Sequence, residues 1–283
     1  NRARLKYLMA DWGAARFREV LESEAYLGRP LIDGPAPAEP PRGRRDHVGV
    51  TSQGRGRFIV GAAPTVGRVS GATLTALAGA VERAGSDRVR FTVDQKLVVL
   101  DVAAEAVADL VDDLDAIGLQ VRTSTFRRGT MACTGIEFCK LAIVETKATA
   151  IDLIGQLEKR FSDVPELFAP DAPQLSINVN GCPNACARTQ LADIGLKGIQ
   201  LANPADPDGA TVDGFQIHLG GGLGLSADAH GGSGFGRKLR GLKTTAADLP
   251  DYVERVVRNW LEQRSDGEAF ATWVARAAEE DLQ

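Results

Sequence analysis

The cysteines are the residues of this chain whose type and spacing most clearly indicate chemistry. The 283-residue sequence contains four: five residues separate Cys133 from Cys139, and three separate Cys182 from Cys186. Thiolates are soft ligands that select zinc, copper(I) and iron–sulfur centres. A [4Fe-4S] cluster takes four cysteines, and two short loops with two thiolates each can supply them. The pattern therefore favours one cluster bound by all four cysteines.

Two other roles for the cysteines stay open at this point. Structural zinc sites usually space their paired ligands more closely, as in C-x2-C, so the gap between Cys133 and Cys139 fits zinc poorly. Inert, structural cysteines are the second alternative. Disulfides are disfavoured, because nothing else in the chain looks secreted and a chain of this length can build its own core.

The segment around the second cysteine pair suggests a helix. Pro183 directly follows Cys182, and the sequence ACARTQLADIGL comes next. Proline is favoured at the first helical position, and the free N–H groups of a helix start attract negative charge. We therefore expect a helix that begins at Pro183 and directs its N–H groups to the cluster, with Thr134 and Gly135 acting similarly beside Cys133. An ordinary loop-to-helix turn is the alternative interpretation.

Two segments carry a resemblance to a known family. MACTGIEFCKLAIVETKA and INVNGCPNACARTQLADIGLKG resemble the cluster motifs of the siroheme-dependent sulfite and nitrite reductases, and most closely those of the actinobacterial, ferredoxin-dependent members. The resemblance extends to RFTVDQKLVVLDV at 90–102, to HLGGGLG at 218–224 and to FGRKLRGLK at 235–243, followed by the C-terminal helices. It thus covers nearly the whole chain.

The resemblance implies a siroheme coupled to the [4Fe-4S] cluster through a shared thiolate. By motif position Cys186 is the shared ligand, while Cys133, Cys139 and Cys182 bind the other irons. Asn184 corresponds to an asparagine beside the cluster, which we expect to tune the reduction potential by hydrogen bonding. Gln95 matches a glutamine that faces the cofactor; the alternative is a polar residue in a strand turn.

Siroheme carries many carboxylates, and burying them without partners is costly. Basic residues near the cysteine loops are therefore candidate partners, although a solvated surface position is the alternative for each. The glycines of the 218–224 segment would let backbone approach a flat macrocycle closely. This segment lacks the P-loop form. The candidates are Arg127, Arg128, Lys140, Lys147 and Arg188, together with Gly220, Gly221, Gly222 and Gly224.

The activity implied by the resemblance is the assimilatory six-electron reduction of sulfite to sulfide. No flavin or nicotinamide motif is found, so ferredoxin is the expected electron donor. A basic cluster near the C-terminus is a candidate docking surface for an acidic ferredoxin, or else a solvated loop. Its residues are Arg237, Lys238, Arg240 and Lys243.

Other activities also stay open. Ferredoxin-dependent reduction of nitrite to ammonia is the nearest alternative. A precorrin-modifying oxygenase of the same superfamily is disfavoured by the match in the second cysteine motif and the C-terminal segment. A binding module stapled by zinc or by a cluster is the non-enzymatic alternative.

Composition and hydropathy limit the possible partners and locations. A net charge of −4 argues against general nucleic-acid binding. The hydrophobic fraction of 44% is enough for a sizeable core, and no apolar run is as long as a membrane span. Free thiols that bind metal indicate a reducing compartment, so we expect a cytoplasmic protein without a membrane anchor.

The element pattern predicts an α+β fold in three parts. Residues 1–45 read as a helical connector and a Pro/Gly-rich linker, and residues 46–128 read as a ferredoxin-like half-domain with the order strand, strand, helix, strand, helix. The resemblance implies that residues 129–283 are an α/β siroheme and [4Fe-4S] domain, and the pattern of this part ends in two amphipathic helices. Their apolar faces, expected in the core, are Val253, Val256, Val257 and Trp260, then Phe270, Trp273, Val274 and Ala277.

The resemblance also implies that this chain is the C-terminal half of a pseudo-twofold enzyme. The sequence starts at Asn1 within an apparent helix, and its first segment is similar to the one that ends the first half of family members. We find no segment that matches the paired-lysine element of the family. We therefore expect the first half to supply the arginines and lysines that bind the small inorganic anion, and we assign no catalytic residue in this chain.

Overall fold

The structure is a computed structural model that describes residues 5–34, 46–203, 205–206, 209–222, 234–239 and 241–283. The chain divides into two compact units, Asn1–Pro41 and Arg42–Gln283. In the first unit, helix α1 (Leu5–Glu22) is kinked at Gly13, whose φ of 73° is accessible to glycine at little cost. Arg18 binds Glu22 and the carbonyl oxygen of Leu31, which folds the following segment back onto the helix.

The second unit begins with a four-stranded antiparallel sheet and two helices. Strands β1 and β2 form a hairpin, and helices α2 and α3 pack on one face of the sheet, whose strand order is β1-β2-β4-β3. The core between sheet and helices contains Val60, Leu97, Leu77 and Leu110. The elements are β1 (Gly49–Gly54), β2 (Arg57–Ala62), α2 (Gly71–Arg83), β3 (Val89–Phe91), β4 (Leu97–Ala103) and α3 (Val107–Ala116).

The predicted order of strand, strand, helix, strand, helix omits β4. The chain reverses at residues 92–95, where Gln95 has a φ of 59°, and returns as a central strand between β2 and β3. Leu97, Val98 and Val99 are all buried. A strand buried on both faces has a continuous apolar run instead of the alternation that identifies a half-buried strand, so this strand was missed.

The rest of the second unit forms a five-stranded sheet with helices on one face. The strand order is β5-β6-β7-β8-β9; β5, β6 and β7 are parallel, whereas β8 and β9 run antiparallel to their neighbours. The elements are α4 (Thr125–Gly129), β5 (Thr130–Ala132), α5 (Lys147–Arg160), β6 (Ile177–Asn180), β7 (Ile194–Leu201), β8 (Val212–Leu219), β9 (Lys243–Thr245), α6 (Leu249–Gln263), α7 (Phe270–Arg276) and α8 (Glu279–Leu282).

The two predicted amphipathic helices, α6 and α7, contribute to the core beneath this sheet. Trp260 and Trp273 are fully buried, and the Trp260 ring meets Phe270 edge-on with 5.6 Å between centroids. The prediction that these aromatic residues belong to the core is correct, and Ala277 packs partly buried against the same cluster. In the described part of the chain, no helix is both long and apolar enough to cross a membrane.

The opposite face of the five-stranded sheet is polar. His218 on β8 lies opposite Gly195 on β7. It is buried, with a relative exposure of 7%, and its Nε2 has no hydrogen-bond partner among the described residues. Burial lowers the pKa of His218, and the charges of Lys197 and Lys238 lower it further. The imidazole is therefore neutral in the folded protein at neutral pH.

This arrangement predicts a loss of stability in mild acid. Below the ordinary histidine pKa of 6.5 the unfolded chain takes up a proton that folded His218 resists, so the free energy of unfolding falls as the pH falls. Urea unfolding measures the free energy of unfolding at about pH 7.5 and at about pH 5.5. Between these pH values, His218→Gln should lose less of this free energy than the wild type. An equal loss of the free energy of unfolding in the wild type and in His218→Gln would contradict the prediction.

Candidate iron–sulfur site

Both cysteine loops leave the five-stranded sheet at the same edge. Cys133 directly follows β5, and Cys182 follows β6 after one intervening residue. The two strands are parallel neighbours, with Ala132 paired to Val179. Carboxyl ends of parallel strands lie at one edge of a sheet, where ligands commonly bind. The strand pairing thus brings together the starts of two cysteine loops that are far apart in sequence.

The two loops also contact each other directly. The backbone N–H of Gly181 donates a hydrogen bond to Cys133 Sγ over 3.2 Å, and the N–H of Ile143 donates to the carbonyl oxygen of Gly181 over 2.9 Å. A Cβ atom at Gly181 would lie 3.0 Å from the Cβ of Ala142, so a side chain would press the loops apart. Glycine at this position lets the two loops meet next to a cysteine sulfur.

The first loop is shaped by Gly135 and Thr146. Thr146 is fully buried, and its hydroxyl donates to the carbonyl oxygen of Cys133 over 2.8 Å. Gly135 has a φ of 73°, and a Cβ there would lie 2.4 Å from the Thr146 hydroxyl oxygen. The N–H of Cys139 donates to the carbonyl oxygen of Gly135 and closes a turn. No helix begins at Thr134 or Gly135, so that part of the prediction is wrong.

The helix predicted to begin at Pro183 is also absent. Residues 181–188 form turns, a 3-10 helix follows at Thr189–Leu191, and β7 begins at Ile194. Ala185 and Arg188 have φ values of 54° and 57°, and left-handed residues interrupt a right-handed helix. The argument from a helix dipole therefore does not apply to this loop.

Two asparagines hold the second loop instead. Asn180 Oδ1 accepts a hydrogen bond from the N–H of Ala187 over 2.6 Å, and Asn178 Nδ2 donates to the carbonyl oxygen of Arg188 over 3.3 Å. Both side chains are about 99% buried, each with a relative exposure of 1%. Neither asparagine was predicted from the sequence to take part in the site. The signal was the alternation I-N-V-N, in which the apolar residues face the core and the asparagines face the loop.

Gln95 holds the residue that precedes the first cysteine. Its amide donates to the carbonyl oxygen of Ala132 over 2.7 Å and accepts from the N–H of Ala132 over 3.2 Å. Fully buried Lys96 donates to the carbonyl oxygen of Thr130 over 3.0 Å. The turn between β3 and β4 therefore fixes β5 directly before Cys133. A contact of Gln95 with a cofactor stays a prediction.

The predicted arginine partners of siroheme are already bound to carboxylates. Arg127 donates two hydrogen bonds to Glu158, and Arg128 donates one to Asp46. Arg188 binds Asp94 over 2.6 Å and the carbonyl oxygen of Val93 over 3.0 Å. A guanidinium whose charge is balanced in this way attracts a further carboxylate less strongly. Of the two lysine candidates, Lys140 is exposed and Lys147 is half-buried.

The glycine loop after β8 packs on the segment that follows the second cysteine loop. The N–H of Gly220 donates to the carbonyl oxygen of Asp193, and the N–H of Gly221 donates to that of Ala192. A Cβ at Gly221 would lie 2.3 Å from the carbonyl oxygen of Gln190, so Gly221 is required for packing. Gly222 has open space where a Cβ would lie. Gly224 and Arg240 lie outside the described residues.

The donor set fits an iron–sulfur cluster in its chemistry, since a [4Fe-4S] cluster takes four cysteine thiolates. All four cysteines are free; Cys182 is buried, Cys133 and Cys139 are partly exposed, and Cys186 is exposed in the same loop as exposed Asn184. Among the described residues, no group of three or more His, Cys, Asp or Glu side chains is placed to hold a metal ion.

A pair of glycine substitutions tests the geometry of the first loop. Gly135→Ala should destabilise the protein by more than about 1 kcal/mol, because of its positive φ and its contact with Thr146. Gly155 lies in α5 with nothing near its Cβ position, so Gly155→Ala should stabilise the protein by about 0.5–1 kcal/mol. Urea unfolding followed by circular dichroism measures both changes. A neutral Gly135→Ala variant would contradict the described loop.

Two known protein families match different parts of this chain. The family "Nitrite/Sulfite reductase ferredoxin-like half domain" matches residues 50–117, and the family "Nitrite and sulphite reductase 4Fe-4S domain" matches residues 124–283. The latter range contains all four cysteines and both loops.

Relatives and solved structures agree with these matches. The chain is 55% identical over 281 residues to "Sulfite reductase [ferredoxin]" of Mycobacterium tuberculosis, covering 99% of this chain and 48% of the relative. It is 34% identical to the "Assimilatory ferredoxin-dependent nitrite reductase" of Haloferax mediterranei, covering 96% of this chain and 45% of the relative. The structure of the Mycobacterium tuberculosis NirA protein superposes with a TM-score of 0.89 at 54% identity, covering 99% of this chain and 49% of that chain.

The chain thus spans about half the length of these relatives. The ferredoxin-like family match covers the four-stranded sheet, and the 4Fe-4S family match covers the edge where the cysteine loops meet. The chain belongs to the nitrite and sulfite reductase family, in an α+β fold with a ferredoxin-like half-domain and a 4Fe-4S domain.

Proposed function

We propose that this chain is the cluster- and siroheme-binding half of a ferredoxin-dependent sulfite reductase. The observation that carries the proposal is the meeting of the two cysteine loops at one sheet edge, with the Gly181 N–H directed at Cys133 Sγ. The relatives at 53–55% identity are named sulfite reductases, and those at 33–34% are named nitrite reductases. This difference in identity favours the six-electron reduction of sulfite to sulfide, with reduction of nitrite to ammonia as the alternative.

In this proposal Cys133, Cys139, Cys182 and Cys186 bind the four irons of one cluster. When bound, siroheme supplies the iron that takes the substrate anion, while the cluster stores electrons that a one-electron donor delivers singly. By its motif position Cys186 would hold siroheme as well as the cluster, and its exposure supports this assignment. The Gly181 N–H stabilises negative charge on the Cys133 sulfur, and hydrogen bonds of this kind help to set cluster potentials. Asn184 lies exposed two residues before Cys186 and is proposed to act on the potential as well.

We further propose that the first half of the enzyme covers the outer side of the cysteine loops. Ile136, Phe138 and Leu141 in the first loop are 56%, 77% and 65% exposed. Exposed apolar groups that cluster in one place indicate a contact surface. In the proposed division, residues 1–45 are the connector from that half, residues 46–128 the ferredoxin-like half-domain and residues 129–283 the siroheme and cluster domain. The first half supplies the anion-binding arginines and lysines.

The free thiols support a reducing compartment, so the proposed location is the cytoplasm. Ferredoxin is the proposed donor because of the names of the relatives. Within the basic cluster, Lys238 and Lys243 are exposed, whereas Arg237 turns its guanidinium onto the carbonyl oxygen of Val274 over 2.9 Å. The two lysines are therefore the candidates for steering an acidic ferredoxin toward the site.

The cofactor assignment predicts a spectrum that depends on the cysteines. Chain produced anaerobically with siroheme available should contain iron and acid-labile sulfide in equal amounts and show both cluster and isobacteriochlorin absorption. Cys186→Ser should lose the siroheme bands together with most of the cluster absorption. Asn184→Ala, a substitution of an exposed neighbour, should keep its iron and sulfide. A colourless wild-type protein with one zinc per chain would overturn the proposal.

Charge reversal tests the docking surface. In an enzyme completed with a first half, Lys238→Glu combined with Lys243→Glu should lower ferredoxin-driven turnover at low salt by about tenfold, because steering charges raise association rates by about this factor or more. Turnover with a small artificial donor should be unchanged. The same charge change at Arg83 in α2 and Lys159 in α5 serves as the control. Equal losses with both donors would argue against docking at these lysines.

A further inference from the structure

Lys147 places an ammonium group next to the first cysteine. It is the first residue of α5, and its Nζ donates to the carbonyl oxygens of Val66 over 2.6 Å and of Ala132 over 3.2 Å. Ala132 directly precedes Cys133. The side chain is half-buried and bound at its tip by two backbone groups, so the position of its charge is fixed.

One of the two acceptors is held in an unusual backbone conformation. Val66 is fully buried and has a φ of 48°, in the left-handed region that β-branched residues rarely enter. Such a conformation persists only where the surrounding structure enforces it, and it is found mostly at functional sites. Here the strained residue is the one whose carbonyl oxygen accepts the shorter of the two hydrogen bonds from the Lys147 ammonium.

The charge of Lys147 lacks a carboxylate partner in the described part of the chain. Glu145 uses its side chain to accept the backbone N–H groups of Lys147 and Ala148, at the start of α5. Glu137 is paired with Arg68. Carbonyl oxygens stabilise an ammonium group by hydrogen bonding but leave its net charge. This distinguishes Lys147 from Arg127, Arg128 and Arg188, each of which has a carboxylate in contact.

We propose that Lys147 raises the reduction potential of the cluster bound at Cys133. The inference rests on the proposed function, since it requires a cluster. Reduction adds a negative charge to an anionic centre, and a fixed positive charge nearby stabilises the reduced state more than the oxidised state. The effect is strong where solvent screening is weak, which fits a half-buried ammonium. Lys147 thus acts on the reduction potential through the charge that it holds beside the cluster, without binding the cluster itself.

The test is an EPR-monitored redox titration of the cluster in anaerobically reconstituted protein. Lys147→Met removes the charge and should shift the midpoint potential to a more negative value, whereas Lys147→Arg keeps the charge and should stay close to the wild type. Lys159→Met is the matched control, because it removes an exposed lysine from the same helix about 18 Å farther along the axis. Its potential should equal that of the wild type.

The outcomes separate this inference from the proposed function. A wild-type protein that holds no cluster defeats the proposed function. A wild-type cluster whose potential is unchanged in Lys147→Met defeats the inference alone. If Lys147→Met retains no iron, Lys147→Gln is titrated in its place, because it removes the charge but keeps a hydrogen-bond donor; a wild-type potential in that variant overturns the inference. If Lys147→Met and Lys147→Arg both lose iron while their circular dichroism stays native, the role of Lys147 is its specific hydrogen bonding, and the electrostatic inference is overturned.

Discussion

The parallel pairing of β5 and β6 is the constraint on which the site depends. A parallel pair requires a long crossover connection, and here that connection contains the first cysteine loop and α5. The same pairing sets Cys133 opposite the start of the second loop, so that the Gly181 N–H reaches its sulfur. A slip of one residue in this register would move the apolar residues of β6 to the polar face and displace both loops together. The register between β5 and β6 therefore determines both the packing of the core and the positions of the two cysteine loops.

Strand β6 shows how one short element serves stability and site at once. Ile177 and Val179 face the helices and belong to the main hydrophobic cluster, while Asn178 and Asn180 face the cysteine loop and hold its backbone. The buried amide of Asn180 is hydrogen-bonded at both its nitrogen and its oxygen, and such bonds have strict geometry. The alternation of the strand thus provides the second loop with anchors that belong to a core strand, and no helix is needed there.

Features of the fold and the site could be predicted from the sequence where their signal lies in neighbouring residues. Features that depend on contacts between distant residues could not. The cysteine spacing, the glycines and the apolar face around Trp260 could be identified from neighbouring residues alone. The clamp of Gln95 on Ala132 joins residues 37 apart, and no local pattern indicates it. The helix expected after Pro183 does not form, because Ala185 and Arg188 adopt left-handed φ values. Residue types other than glycine and asparagine do not favour such values, so neither residue indicated them in the sequence. Strand β4 was missed because burial on both faces removes alternation.

The charges around the first cysteine fall into two groups with different consequences. Arg127, Arg128 and Arg188 each bind a carboxylate on another segment. These ion pairs join α4, the second loop and the turn before β4 to their neighbours, and they add no net charge. Among the described residues, the hydrogen-bond acceptors of the Lys147 ammonium are backbone carbonyl oxygens, which do not neutralise its charge. Burying an ammonium group without a carboxylate in contact costs free energy. An anionic centre bound by Cys133 would offset that cost, so the same electrostatic term that favours loading of the site also favours its reduction.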